Sequence, residues 1–185
     1  MKITYCTACG SPVRMEIPAD DDHERAVCSA CGLIHYSNPK MVVGSIPEYN
    51  GRLLLCRRDI EPRKGFWTLP AGYLENGETV QAGAVRETLE ETRARVELLG
   101  PFRMFNIVFV NQIYLMFRAQ LTDKNFGPTA ESSEVRLFDR ESIPWDKLAF
   151  QVITRTLTDY FDALDKPDFS FGIFDLERGP NHERS

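Results

Sequence analysis

The sequence predicts a layered α/β domain preceded by a small metal-binding module. Two observations predict this fold class: short apolar runs of strand character alternate with two stretches of helical spacing, and four cysteines form two close pairs near the N-terminus. Mixed strands with at least two helices are typical of layered α/β domains. We therefore assign residues 1–39 to the metal-binding module, 40–165 to the main domain and 166–185 to a C-terminal tail.

The composition disfavours several classes of protein. The chain has 185 residues with 22 basic and 27 acidic side chains, which gives a net charge of −5. No apolar run reaches the roughly 18 residues of a membrane span, and the N-terminus lacks the apolar stretch of a secretory signal. A negative charge without a basic block disfavours binding to nucleic-acid phosphates. We therefore expect a cytoplasmic protein with a small-molecule substrate and no membrane or nucleic-acid partner, and the sequence leaves a homodimer open.

The two cysteine pairs predict a structural zinc site. In each C-x2-C pair one tight turn presents two sulfurs to the same ion, and two such turns complete a tetrahedron of thiolates with no open position for catalysis. A glycine follows each pair, where such a turn often needs positive φ. The alternatives are buried thiols or disulfides, and the lack of a secretory signal disfavours disulfides. The four expected ligands are Cys6, Cys9, Cys28 and Cys31.

The main domain carries seven strand-like runs and two predicted helices. The runs are rich in Phe, Val, Ile and Tyr, which favour strands, and Asn50-Gly51 between the first two favours a tight hairpin. Cys56 lies in the second run and is expected to be a buried thiol. Helical spacing extends over 79–93 and 146–164. The strand-like runs are 41–46, 52–57, 66–69, 95–99, 102–110, 112–121 and 134–138.

The first predicted helix carries three carboxylates on one side. At 100° per residue, Glu87, Glu90 and Glu91 lie opposite the apolar side that must face a core. Like charges at this spacing destabilise a helix, and a hard divalent cation such as Mg²⁺, which takes carboxylate ligands, would remove that cost. The alternative is an ordinary solvated acidic face, and spacing alone leaves both open.

The segment around this helix resembles the Nudix box, which has the pattern Gly, five residues, Glu, seven residues, then Arg-Glu-aliphatic-x-Glu-Glu. The preceding residues 67–71 also look like the run that leads into this box. The positions kept in register are Gly72, Glu78, Arg86, Glu87, Glu90 and Glu91. The resemblance implies a Nudix-type α/β/α sandwich with a mixed sheet. It also implies hydrolysis of the phosphoanhydride of a nucleoside diphosphate linked to another moiety.

A zinc ribbon before such a domain resembles the ADP-ribose and FAD pyrophosphatase subgroup. The resemblance therefore implies ADP-ribose or FAD as substrate and AMP as a product. The signature associated with NADH pyrophosphatases is absent, and the proline that marks ADP-ribose pyrophosphatases would fall at Val110. The alternatives are an NADH pyrophosphatase, a regulator that binds a nucleotide without cleaving it, and a zinc-ribbon adaptor.

The resemblance also implies a role for each residue of the box. Glu87, Glu90 and Glu91 would hold Mg²⁺ or Mn²⁺ together with the backbone carbonyl of Ala71. A carbonyl ligand makes no demand on the side chain, so alanine is acceptable there. Arg86 would orient Glu87 through an ion pair.

Two further roles concern carboxylates at the edges of this site. Glu78 would support the Arg86 ion pair, and we count it among the substrate-binding residues. Either Glu87 or a loop carboxylate, Glu131 or Glu134, would activate the water, and of the two loop residues we prefer Glu134. The alternative for both is an ordinary acidic loop.

Substrate contacts are expected near the box. Arg57 and Arg58, with Arg63 and Lys64 across a loop, could meet diphosphate oxygens, for which arginine offers bidentate geometry. Their alternative is a solvated strand end. Trp67 could stack on a nucleobase or flavin ring, and its alternative is the core.

Two positions depart from the pattern of the box. Thr88 replaces an aliphatic residue and adds a hydroxyl that needs a partner if buried. Arg93 stands where the family usually has glycine, which suits a left-handed helix end. We expect the helix to run on at this point, with Arg93 complementing its C-terminal dipole.

Overall fold

The computed structural model describes residues 3–178. These residues form two compact units with the boundary between Asn38 and Pro39, and each unit has its own sheet. None of the helices within the described range is long and apolar enough to cross a membrane.

The N-terminal unit is built on a three-stranded antiparallel sheet in the order β1-β2-β3. Its strands are β1 (Val13–Glu16), β2 (Arg25–Cys28) and β3 (Ile34–His35). The turn after each cysteine pair ends in a glycine, Gly10 or Gly32, with φ of 72° and 74°. Because side chains are strained at such angles, glycine is the suitable residue in both turns.

The second unit is built on one mixed sheet whose main path has the order β10-β5-β4-β9-β8-β11. Strand β6 pairs with β5, and β7 pairs with β4. The pairs β4/β9 and β8/β11 are parallel, whereas the other pairs are antiparallel. The strands are β4 (Lys40–Tyr49), β5 (Arg52–Arg58), β6 (Trp67–Thr68), β7 (Ala71–Tyr73), β8 (Val96–Ile107), β9 (Gln112–Leu121), β10 (Ser132–Phe138) and β11 (Gly172–Asp175).

Two helices cover opposite faces of this sheet. Helix α1 (Val80–Thr92) packs on the face that carries Val43 of β4, and helix α2 (Gln151–Asp165) packs on the face that carries Ile46. Side chains three positions apart on a strand point to opposite faces. The fold is therefore an α/β/α sandwich with a mixed sheet, which confirms the fold class that the resemblance implied.

The predicted hairpin between the first two strands of the main domain is confirmed. Tyr49 pairs with Arg52, and the two residues between them, Asn50 and Gly51, have φ of 50° and 77°. Positive φ at both central residues is the requirement of a type I′ turn, whose twist matches that of the strands.

Several element boundaries differ from the sequence-based expectation. The predicted strands 95–99 and 102–110 are joined in one strand, β8 (Val96–Ile107), whose pairing with β9 shifts register on both sides of Pro101. The next residues, Val108–Val110, form a 3₁₀ helix. Helix α2 begins at Gln151 and not at 146, because Trp145–Lys147 form a separate 3₁₀ turn and Phe150 is extended.

Two strands were not expected. In the larger unit these are β7 and β11. Strand β7 is only three residues long and directly follows Pro70, which ends the predicted run 66–69. Strand β11 lies in the segment that we set apart as a tail, where it joins the edge of the sheet beside β8. Its pairing partner is about 70 residues away in sequence, so local periodicity gave no signal for it.

Candidate active site

A cleft of about 700 Å³ opens beside the C-terminal half of α1. One side carries carboxylates of α1, and another side is formed by β8, β9 and the start of α2. The polar residues that line it include Arg58, Arg63, Arg86, Glu87, Glu90, Glu91 and Glu131. The cleft therefore brings together three of the arginines and four of the acidic residues that the sequence singled out, but not Glu78 or Glu134.

The start of α1 is fixed by its cap and by a close approach to the sheet. The Oγ1 atom of Thr79 accepts a hydrogen bond of 3.1 Å from the N–H of Ala82, which satisfies a free donor of the first turn. A Cβ atom at Gly83 would lie 2.9 Å from a methyl of Val43. Glycine at 83 thus lets α1 lie close to β4, which sets the depth of the carboxylates in the cleft.

Arg86 is the centre of the charged network. Its guanidinium donates to both carboxylate oxygens of Glu78, at 2.7 and 3.1 Å, and to the carbonyl of Tyr73 at 3.0 Å. It also donates to Glu87 at 2.6 Å and to Glu90 at 3.0 Å. The hydrogen bonds from Arg86 lower the pKa of Glu78 to about 2.

Glu87 is held between Arg86 and the backbone of Gly72. A Cβ atom at residue 72 would collide with the Glu87 carboxylate, so glycine is required there for the carboxylate to keep its place. Burial raises the pKa of Glu87, while the hydrogen bond and charge of Arg86 act in the opposite direction. Glu90 and Glu131 add negative charge that also raises it.

Glu91 is the more deeply buried carboxylate, with 6% of the residue exposed. Glu87 is buried as well, so the expectation that the carboxylates lie opposite the core-facing side of α1 is wrong for these two residues. Its Oε2 atom accepts a hydrogen bond of 3.0 Å from the N–H of Ala71 and lies 3.8 Å from the thiol sulfur of Cys56. Burial raises the pKa of Glu91 to about 7, partly offset by the hydrogen bond from Ala71. Cys56 is fully buried, as expected.

The hydroxyl of Thr88 finds the partner that its burial requires. Its Oγ1 atom donates to the carbonyl of Ala84 at 2.7 Å and lies 2.6 Å from the Oγ atom of Ser45 on β4. Since the Thr88 proton goes to Ala84, the Ser45 hydroxyl is the donor in the second bond. This pair links the buried side of α1 directly to the central strand.

The expectation for Arg93 is wrong. Helix α1 ends at Thr92, and Arg93 adopts the left-handed conformation with φ of 61° while its N–H donates to the carbonyl of Leu89 at 2.7 Å. The helix does not run on, because the chain must turn immediately to place Ala94 in a buried position before β8. Arg93 thus occupies a glycine-type helix end at some cost in backbone strain.

The structure separates the two loop carboxylates. Glu131 lines the cleft and adds to the negative potential at Glu87 and Glu91. Glu134 lies on β10 and faces Arg57 at 3.8 Å and Arg136 at 3.3 Å, and it is not among the residues that line the cleft. The position of Glu131 therefore suits water activation better than that of the preferred Glu134.

The structure also distinguishes Arg57 from Arg58, the two strand arginines that we expected to contact the substrate. Arg58 lines the cleft, donates to the carbonyl of Pro62 at 2.9 Å and lies 5.2 Å from the ring centre of Phe150. Arg57 is not part of the cleft lining and donates to the carbonyl of Gly65 at 2.9 Å. Of these two arginines, only Arg58 is placed to reach a ligand in the cleft.

The structure places Trp67 in the core instead of the cleft. It is 6% exposed and packs edge-on against Phe138 with ring centres 4.8 Å apart. Strand β6 pairs with β5, so the Trp67 side chain is covered by the sheet and by α2. It therefore cannot stack on a ligand without leaving the core.

Sequence reasoning missed part of the cleft wall. Phe150 and Leu176 line the cleft, together with Phe109 and Tyr114. Burial raises the pKa of Tyr114 to about 12, so its hydroxyl stays protonated at neutral pH. Phe150 and Leu176 gave no signal because their place in the cleft depends on contacts that are distant in sequence.

The donor set of the cleft fits a hard divalent cation. Glu87 and Glu91 are buried carboxylates with raised pKa values, and positive charge beside them would offset the cost of their burial. The three acids do not converge in this structure, because Glu87 and Glu90 turn to Arg86 whereas Glu91 turns to Ala71. Glu90 is exposed and would have to break its bond to Arg86 to join the other two.

The four cysteines of the N-terminal unit fit a tetrahedral metal site. Their sulfur atoms all lie within 4.8 Å of one another, and three of the S–S distances are 3.5, 3.7 and 3.8 Å. Metal–sulfur bonds of about 2.3 Å give tetrahedral S–S distances of roughly 3.8 Å. Hydrogen bonds from the N–H groups of Cys31 and Ala30 lower the pKa of Cys28 to about 6, which favours its thiolate.

Two family models match this chain. The model described as Nudix N-terminal, a zinc ribbon, matches residues 4–37, and the model described as NUDIX domain matches residues 39–160. The second match ends before the last residues of α2 and does not include β11. The two matches meet at residues 37 and 39, beside the boundary between the two structural units.

Curated relatives match shorter parts of the chain. An ADP-ribose pyrophosphatase of Methanocaldococcus jannaschii is 44% identical over 57 residues, which cover 31% of this chain and 34% of that protein. An NAD-capped RNA hydrolase NudC of Stutzerimonas stutzeri is 31% identical over 146 residues, which cover 76% of this chain and 49% of that protein. The chain thus spans half or less of the length of these relatives.

Solved structures include a match over nearly the whole chain. A NUDIX hydrolase from Nitrosomonas europaea is 43% identical, with a TM-score of 0.91 over 95% of this chain and 100% of that one. An ADP-ribose pyrophosphatase from Streptococcus suis has a TM-score of 0.56 at 18% identity over 75% of this chain and 100% of that one, a likeness of fold alone.

Proposed function

This chain belongs to the NUDIX family, and we propose that it is a metal-dependent pyrophosphohydrolase that cleaves the phosphoanhydride of a nucleoside diphosphate linked to another moiety, with release of AMP. The observation that carries the proposal is the arrangement around Arg86. One guanidinium fixes Glu87 and Glu90 at the mouth of the cleft, and a separate backbone N–H fixes Glu91 behind them.

We assign Glu87, Glu90, Glu91 and the carbonyl of Ala71 to a Mg²⁺ or Mn²⁺ site. The bound cation would neutralise phosphate charge and acidify a bound water. Arg86 holds Glu87 in position through the bond of 2.6 Å. Glu78 keeps Arg86 in place through two hydrogen bonds and is therefore a positioning residue, not a substrate contact.

The remaining steps use residues of the cleft wall. Glu131 accepts a proton from the attacking water while the oxygen of that water forms a bond to phosphorus. The bond from phosphorus to the bridging oxygen then breaks, and the leaving phosphate takes that oxygen with its electron pair. Arg58 and Arg63 line the cleft and supply positive charge for the diphosphate oxygens. We also assign zinc to the four-cysteine site, where it has a structural role.

The proposed substrates are ADP-ribose and FAD, and a second class comes from the relatives. Proteins named NAD-capped RNA hydrolase match three quarters of this chain. NADH and NAD-capped RNA are therefore the second candidates, although the net charge of −5 opposes strong RNA binding.

The test is a substrate panel with Mg²⁺ or Mn²⁺, read by the phosphate monoester released. The panel contains FAD, ADP-ribose, NADH and a short NAD-capped RNA. We expect AMP from FAD or ADP-ribose, and a loss of about 10²-fold or more in kcat for Glu91→Gln, as for removal of a group that acts on the reacting atoms. The matched control is Glu97→Gln, an exposed carboxylate on β8, which should keep wild-type activity.

Each outcome is decisive. Turnover of FAD or ADP-ribose that depends on Glu91 supports the proposal. Turnover only of NADH or capped RNA keeps the reaction and corrects the substrate. No monoester from any member of the panel contradicts the proposal and favours a binding protein.

A further inference from the structure

We infer that Leu176, the residue that follows strand β11, contacts an aromatic heterocycle at the end of the substrate remote from the carboxylates. The inference rests on the proposed function for the orientation of the substrate. It concerns residues beyond the segment that matches the NUDIX domain model, which ends at residue 160.

The position of Leu176 is fixed by the sheet. Strand β11 runs parallel to β8, with Asp175 opposite Asn106, and the N–H of Leu176 donates to the carbonyl of Asn106 at 2.9 Å. Phe174 packs against Phe105 on the α2 face, with ring centres 6.0 Å apart. Because side chains two positions apart share a face, Leu176 points to the same side.

Leu176 and Ile173 make a natural comparison on this strand. Leu176 is 7% exposed, belongs to the main core cluster and lines the cleft. Ile173, on the opposite face, is 66% exposed. Leu176 is therefore part of the cleft wall, whereas the side chain of Ile173 lies outside it.

The register of the sheet gives the distance between the two ends of the row of paired strands that runs from β7 to β11. Gly72 on β7 pairs with Val43, which pairs with Leu115, then Met104, then Ile173 on β11. Four strand spacings of about 4.8 Å separate these two ends by roughly 19 Å. Since Gly72 touches the Glu87 carboxylate, β11 lies far from the place where the phosphates are expected to bind.

The chemistry of this end suits a flat heterocycle. Ile107, Phe109, Tyr114 and Phe150 line the cleft together with Leu176, as do the polar residues Gln112 and Gln151. A purine or flavin ring can bury its faces against such a wall. The apolar part of the lining therefore favours substrates whose far moiety carries an aromatic ring.

The experiment measures binding, so that it is independent of turnover. Dissociation constants of AMP and FMN are determined by calorimetry in magnesium-free buffer for the wild type, Leu176→Ala and Ile173→Ala. We expect Leu176→Ala to weaken the binding of AMP or FMN by about tenfold, as for apolar groups removed from a binding pocket. Ile173→Ala should stay within about twofold of the wild type because its side chain lies outside the cleft.

A second measurement uses the wild-type chain alone, in case Leu176→Ala fails to fold. Photolysis with 8-azido-AMP followed by peptide mapping should label residues 172–178. Labelling confined to other parts of the chain would overturn the inference, as would unchanged affinities for Leu176→Ala or a wild type that binds neither nucleotide.

The two proposals fail in different ways. A wild type that binds AMP or FMN through Leu176 but releases no monoester from the substrate panel contradicts the proposed function and leaves this inference standing. A wild type that cleaves FAD or ADP-ribose while Leu176→Ala binds normally contradicts this inference alone.

Discussion

The carboxylate of Glu91 accepts a hydrogen bond of 3.0 Å from the backbone N–H of Ala71, the residue whose carbonyl we assign to the same metal site. One short strand, β7, thereby fixes both a buried acid and a backbone ligand. Because Gly72 on this strand also touches Glu87, the depth of two carboxylates depends on three consecutive residues. This relationship leads to the first prediction.

The buried charge of Glu91 should destabilise the metal-free protein at high pH. Burial raises its pKa from 4.5 to about 7, so the folded state holds a proton that the unfolded state has lost. The associated stability is complete below pH 4.5 and is lost as the pH rises through 7, by up to about 3 kcal/mol. Glu91→Gln should therefore raise the midpoint of thermal unfolding at pH 8 and leave it nearly unchanged at pH 4.5.

The measurement is thermal unfolding in buffer free of magnesium and manganese, without a chelator that would also strip the cysteine site. Glu97→Gln, an exposed residue, provides the control at both pH values. Equal effects of Glu91→Gln at pH 4.5 and pH 8 would disprove the link between burial and ionisation.

Arg86→Lys should lower kcat/KM by about 10²-fold or more. A lysine cannot hold Glu78, Glu87, Glu90 and the carbonyl of Tyr73 at once, and a misplacement of about 1 Å in an active site can cost that much. Steady-state kinetics over a magnesium titration would also show weaker metal activation. Arg95→Lys, an exposed site just beyond α1, is the control, and retention of activity within threefold in Arg86→Lys would refute the positioning role.

The Ser45–Thr88 pair predicts an asymmetric double-mutant cycle. Thr88→Val leaves the buried Ser45 hydroxyl without its one hydrogen-bond partner among the described residues, which should cost about 1–3 kcal/mol. Ser45→Ala should cost less because Thr88 still donates to Ala84. The double variant should recover most of the loss of Thr88→Val.

Urea unfolding followed by tryptophan fluorescence is the suitable measurement for this cycle. Both tryptophans, Trp67 and Trp145, lie in the larger unit, so the signal reports that unit alone. Strictly additive costs in the double variant would show that the two hydroxyls do not depend on each other.

Arg93→Gly should stabilise the larger unit by roughly 0.5–1 kcal/mol. The change removes the strain of a left-handed conformation at a residue that carries a side chain. This gain exceeds the cost of the extra conformational freedom that glycine gives the unfolded chain. The same urea experiment measures it. Arg95→Gly, which has no positive φ, should give no gain. A loss of stability in Arg93→Gly would mean that the arginine side chain itself stabilises the helix end.

Removal of zinc should unfold the N-terminal unit without affecting the larger one. The described part of that unit buries only Cys6, Ala26, Val27 and Cys28, too little apolar surface to hold a fold without a metal. Limited proteolysis after treatment with a zinc chelator should cut within residues 3–38 while the tryptophan-monitored transition keeps its midpoint. If residues 3–38 resisted cleavage in protein that contains no zinc, the assignment of a zinc site to the four cysteines would be contradicted.

Sequence alone determined the features that depend on local spacing. The helical period was wrong about which side of α1 faces the core, because Glu87 and Glu91 are buried and Leu89 is 46% exposed. The C-x2-C pairs, however, predicted the cysteine cluster, and Asn50-Gly51 predicted the type I′ turn. Each of these depends on residues within one or two turns of the chain, where periodicity and backbone preference act directly.

Only the tertiary structure decided the features that depend on long-range pairing. It placed Trp67 in the core, brought Glu131 and not Glu134 to the cleft, and added Leu176 to its wall. Arg93 likewise took a left-handed conformation because the next strand had to begin at once. A side chain's environment is set by whichever strand or helix packs against it, and that neighbour is often distant in sequence. Local pattern therefore identified the acids, whereas packing decided what surrounds them.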